Sequence, residues 1–118
     1  MMSLRANRSS RLSACSLYWD DLPGSPWLRG KALEKRTRRL IDDYPPPLPG
    51  NVALWRDESH ALLNQAYPKT DGSLLPTITD EFNRHAHDIA NRRIVAAGYR
   101  LGWLLEAAIA ARVSRETQ

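Results

Sequence analysis

Between Tyr44 and Asn51 the chain reads Pro45-Pro46-Pro47-Leu48-Pro49-Gly50. Proline fixes φ and lacks the amide hydrogen, so no helix persists through this run, and the segment is a stiff extended connector. It need not divide domains, because a run of this length can also pin the angle between two packed helices. On both sides of it apolar residues recur at three- and four-residue spacings, and no convincing pair of strands appears. The expected fold class is all-α.

Ser25-Pro26 predicts a helix start, with a side-chain oxygen at the cap and a proline where its missing N–H costs nothing. That helix would run to about Asp43, with Leu28, Ala32, Leu33, Leu40, Ile41 and Tyr44 towards a core and Gly30 weakening its start. Lys31, Lys35, Arg38 and Arg39 fall mainly on the other side, Arg38 one turn from Glu34. Asn51 can cap a second helix, in which Val52, Trp55, Ser59, Leu62, Leu63, Ala66 and Tyr67 are spaced helically before Pro68 stops the run. A turn is expected at Thr70-Asp71-Gly72-Ser73.

Thr77 and Asp80 form a candidate capping pair for the longest helix. Phe82, Ala86, Ile89, Ala90, Ala97, Leu101, Leu104, Leu105 and Ala108 hold one face of it to about Arg112. Gly98 lies inside this helix, where glycine costs about 1 kcal/mol relative to alanine. Its presence predicts close approach of another helix, with Ala97 and Leu101 in the same contact and Trp55 a candidate neighbour. The chain thus divides into a disordered basic arm over residues 1–13, a helical portion over 14–113 and a tail over 114–118.

Composition narrows the function classes. The hydrophobic content of 42% supports a core. A net charge of +4, from 17 basic and 13 acidic residues, is a mild excess that suits an anionic partner without demanding one. Cys15 is the only cysteine, which excludes an internal disulfide and a cysteine-built zinc site. No stretch approaches the eighteen or so apolar residues of a membrane span, and no apolar segment follows the basic start as in a secretory signal. A cytoplasmic location without membrane contact is the expectation.

Few residues suggest chemistry on their own. His85 and His87, two positions apart on a helix, point about 200° apart and cannot share a metal. Asp57 stands near His60 and could orient its ring, but a lone oriented histidine is no catalyst. Asp20-Asp21 and Asp42-Asp43 are solvated pairs at helix ends. Trp19, Trp27, Trp55 and Trp103 could stack bases, though Trp55 and Trp103 lie among leucines at core spacing.

Several blocks carry a resemblance. Trp55-Arg56-Asp57-Glu58-Ser59 contains a W-x-x-E-S signature, followed by Leu62 and Ala66-Tyr67-Pro68. Ala97-Gly98-Tyr99-Arg100-Leu101-Gly102-Trp103-Leu104-Leu105-Glu106 resembles an A-G-x-R-L-A-x-x-L-N pattern, with Gly102 for the small residue and Glu106 for the Asn. Tyr18-Trp19-Asp20 resembles the end of N-L-H-x-x-W-D. Together these look like the C-terminal part of the zinc-dependent single-strand nucleases and 3′-nucleotidases of the mung-bean, S-one and P-one type, over roughly residues 14–112.

The resemblance implies the C-terminal helical portion of a mainly helical nuclease fold. It also implies hydrolysis of phosphoester bonds in single-stranded DNA and RNA at a three-zinc centre, where zinc-bound hydroxide attacks phosphorus. Family members are usually secreted or periplasmic. Asp20 matches a zinc-ligand position, but Ser16 stands where its histidine partner belongs and Ala14 replaces the Asn. A single carboxylate cannot fill the coordination of zinc. The expectation is a truncated hydrolase portion, inactive alone, with exposed apolar helix faces through which it self-associates. The alternative is a non-enzymatic helical module that binds nucleic acid or a partner protein through its arm and the Arg29–Arg39 face.

Overall fold

A computed structural model describes residues 18–68 and 78–118. Among these residues the regular structure is entirely helical: α1 (Gly30–Asp43), α2 (Val52–Ala61), a 3-10 turn (Leu63–Gln65) and α3 (Asp80–Glu116), with residues 18–21 also helical. The all-α expectation holds. The basic arm over residues 1–13, the turn at residues 70–73 and Thr77 lie outside the described residues. The described residues fall into two compact units, one within residues 1–28 and 50–91 and the other of residues 29–49 and 92–118.

In the first unit the core forms where residues 18–22 meet the first turns of α3. Leu22, Ala86 and Ala90 are buried there, with Tyr18, Trp19 and Phe82 packed against them. The Tyr18 ring meets Trp19 edge-on at 6.2 Å and Phe82 at 6.1 Å. Gly24, at φ 119°, takes a backbone conformation that side chains rarely allow and turns the chain away after Asp21. Asn51 caps α2 as expected, its side chain accepting from the Leu54 N–H at 3.0 Å. Gly50 is small for a steric reason, because a Cβ there would lie 3.2 Å from the Trp55 indole nitrogen. The α2 run ends at Ala61 and tightens into the 3-10 turn rather than continuing as one helix to Tyr67.

Three boundaries move from their expected places. Ser25-Pro26 makes a turn, not a helix start: Ser25 accepts through its Oγ from the Trp27 N–H at 3.3 Å and through its carbonyl from the Leu28 N–H at 3.3 Å. Gly30, at φ 58°, breaks right-handed continuity, so α1 begins there. At α3 the capping oxygen belongs to Thr79, which accepts from the Phe82 N–H at 3.1 Å, with Asp80 and Glu81 in the first turn where the helix dipole favours acids. The helix extends past Arg112 to Glu116.

The second unit holds α1, the proline run and the distal half of α3. Tyr44 is extended, as required of a residue before proline, and its N–H closes α1 on the Leu40 carbonyl at 3.1 Å. Arg92 lies over the Tyr44 ring at 5.8 Å, and the buried Arg100 donates to the Leu48 carbonyl at 3.4 Å. Arginines of α3 therefore hold both ends of the proline run. Leu40, Val95 and Ala96 are buried in the same unit. Of the α1 positions expected inside, Leu33 and Ile41 are about half exposed and Ala32 is exposed.

The expected face of α3 divides. Ala86 and Ala90 are buried, but beyond Asn91 the buried residues are Val95, Ala96 and Arg100, while Ala97, Leu101, Leu104, Leu105 and Ala108 are exposed. A methyl group placed on Gly98 would meet nothing within 4 Å among the described residues outside its own stretch of helix, so within its unit no helix makes the expected close contact at this glycine. Distal α3 is apolar around most of its circumference, and periodicity alone could not single out the packed side.

Candidate functional site

The segment that carries Asp20 is anchored by its two aromatic neighbours. Tyr18 donates its hydroxyl hydrogen to Asn83 Oδ1 at 2.7 Å, and Trp19 Nε1 donates to the Ala66 carbonyl at 2.9 Å. The single helical turn is too short to be stable alone and is held by α3 and by the chain end of the 3-10 turn. Tyr18 and Trp19 face the core, so Asp20 and Asp21 are left exposed. A carboxylate on an anchored segment is a suitable geometry for a ligand shared with groups from elsewhere.

The donor set is incomplete. Ser16 lies outside the described residues, and among the described residues no group of three or more His, Cys, Asp or Glu converges where it could hold a metal ion. Asp20 supplies one oxygen-bearing group where zinc takes four ligands. These residues do not by themselves fit a zinc ion, and no chemical step follows from them.

The remaining candidates are dispersed. His85 hydrogen-bonds through Nε2 with Gln65 Oε1 at 2.8 Å, while His87 is exposed elsewhere on α3. Asp57 does not orient His60; it accepts from Nε and Nη2 of Arg56 at 3.1 and 3.0 Å. On α1, Lys31, Lys35, Arg38 and Arg39 share one surface with Glu34, Asp42 and Asp43, and Arg38 is paired to Glu34 at 2.7 Å. Positive and negative groups nearly balance there, which weakens that surface as a site for a phosphate chain.

The other blocks have structural duties. In the W-x-x-E-S segment, Ser59 donates its hydroxyl hydrogen to the Trp55 carbonyl at 3.1 Å, and Trp55 is half-buried. Trp27 is 81% exposed, whereas Trp103 is half-buried with its ring 6.0 Å from Tyr99. Arg100 and Asn83 carry no sequence signal that marks them individually. A buried arginine requires an acceptor, and an asparagine on the packed side of a helix requires a partner. Their partners, Leu48 and Tyr18, lie 52 and 65 positions away in sequence, beyond the reach of any local pattern.

One expectation about membranes changes. α3 contains an 18-residue window of mean hydropathy 1.4, only 17% of it buried, and is long and apolar enough to cross a membrane by length and composition. Between Ile94 and Ala111 the only charged residues are Arg100 and Glu106. Counting runs of large apolar residues underrates this stretch, because alanines and glycines separate them.

Searches against protein-family models, curated proteins and solved structures gave no match.

Proposed function

We propose that this chain corresponds to the C-terminal helical portion of a zinc-dependent single-strand nuclease or 3′-nucleotidase and has no hydrolytic activity by itself. The observation that supports this reading is the anchoring of Tyr18-Trp19-Asp20. The two aromatics lock the segment to Asn83 and Ala66, and the carboxylate stays exposed, as a ligand completed by residues of another polypeptide portion must be. The W-x-x-E-S and G-x-R-L blocks follow in the family's order, and the G-x-R-L arginine, Arg100, is buried as a structural residue of the second unit. The substrate class on this reading is the phosphoester of single-stranded DNA or RNA, and Asp20 is the one ligand position that this chain contributes.

The test is complementation. This chain is mixed with the His- and Asp-bearing N-terminal portion of an enzyme of that family, zinc is added, and cleavage of single-stranded DNA is measured. Rescue that is lost with Asp20→Ala and on chelation supports the assignment. No rescue, together with tight and steeply salt-dependent binding of single-stranded DNA by this chain alone, would favour the non-enzymatic binding module instead.

A further inference from the structure

We propose that the exposed face of distal α3 is a self-pairing surface, on which two copies of this chain join as antiparallel helices. Successive helical residues turn by about 100°, which places Ile94, Leu101 and Leu105 on one stripe with Leu104 and Ile109 along its flanks. The buried Val95, Ala96 and Arg100 and the half-buried Tyr99 and Trp103 lie towards the other side. The helix thus has one apolar face packed within its unit and a second that no other described residue of that unit covers, the pattern of a helix that is buried on both sides when fully assembled.

Spacing and area both favour a second helix of the same kind as the occupant. Ile94, Leu101 and Ala108 recur every seven residues, and so do Ala97, Leu104 and Ala111, the repeat that lets two helices interdigitate along a seam. Ile94, Leu101, Leu104, Leu105 and Ile109 are each 41–64% exposed. Together they present on the order of 500 Å² of apolar surface, the greater part of the about 800 Å² per partner of a standard stable interface. A patch of that size lies towards the upper end of what a monomer leaves open to water, where patches often serve an interaction. Gly98 and Gly102, with open space where a side chain would stand, let a partner backbone come near.

The antiparallel orientation follows from charge. Arg112 and Arg115 lie in the last turns of α3, so a parallel in-register pair would gather both copies' arginines at one end. Antiparallel pairing separates the two sets of guanidinium groups and opposes the helix dipoles favourably. A bilayer suits the stripe less well, because Arg100 and Glu106 fall inside the apolar window and the opposite side of the helix is already packed.

The pairing gives a surface and an orientation to the self-association expected of a truncated portion, and it is tested apart from the catalytic part of that reading, since failed complementation leaves the pairing standing. The experiment is light scattering on size-exclusion fractions of the full chain over micromolar concentrations, beside Leu101→Glu, Leu105→Glu and Ile41→Glu. The expected mass is twice 13.4 kDa for the parent chain and for Ile41→Glu, whose site lies on α1. Leu101→Glu and Leu105→Glu should each fall to one chain mass with helical circular dichroism retained. A parent chain that is monomeric throughout the range overturns the proposal whatever the variants do. So does a dimer that both α3 variants leave intact. A monomer in buffer that partitions onto phosphatidylcholine vesicles would assign the face to a bilayer and equally overturn it.

Discussion

Gly98 offers the sharpest test of how α3 is packed. It is the midpoint of the helix, equally far from Asp80 and Glu116, so fraying of the ends does not mask a change there. A methyl group added at its Cα meets no atom within 4 Å among the described residues outside its own stretch of helix, and the residue carries no unusual backbone angle that only glycine could adopt. Gly98→Ala therefore gains helix propensity, about 0.8–1.0 kcal/mol, and loses no contact within the chain. That is roughly a fourfold shift of the folding equilibrium towards the native state. With a urea m-value of about 2 kcal/mol/M the midpoint should rise by about 0.5 M, without a change in slope. The measurement belongs in a Leu101→Glu background, where no second copy covers the stripe, followed by far-ultraviolet circular dichroism. A lower midpoint would mean that some part of the chain does press on Gly98. Overpacking typically costs about 1–3 kcal/mol, so the two outcomes differ in sign. In the parent background, where two copies meet near this glycine, the gain should shrink or reverse.

Substitutions at three further positions probe the first unit. Ala86 is fully buried among Tyr18, Trp19, Leu22 and Phe82, and Ala86→Leu should lower stability by about 1–3 kcal/mol in urea titration. Tyr18→Phe keeps the ring but leaves Asn83 Oδ1 without the 2.7 Å hydroxyl donor, a loss of about 1 kcal/mol by the same assay. Asn51→Ala removes the side-chain acceptor at the start of α2 and should cost about 1 kcal/mol, whereas Asn51→Asp, which keeps an acceptor there, should cost much less.

Much of the helical architecture was legible in the residues because its causes are local. The proline run could not be helical, and Asn51 could accept from an N–H three residues on. The same local logic failed at Ser25-Pro26. A capping residue and proline are equally content in a turn, and the left-handed Gly30 decided between the two.

The sides of α3 and the state of the candidate site were settled only in three dimensions. Apolar periodicity reports which residues avoid water, but the hydrophobic effect has no direction and does not say which partner removes them from it. In the first unit Tyr18, Trp19 and Leu22 cover Ala86 and Ala90, and in the second Tyr44 and Leu48 engage Arg92 and Arg100. Those contacts turn Val95 and Ala96 inward and leave Leu101, Leu104 and Leu105 outside. Asp20 could be singled out by its neighbours in sequence. Its anchoring depends on a carbonyl 47 positions beyond Trp19 and an amide 65 positions beyond Tyr18, and convergence over such separations is a property of the folded chain alone.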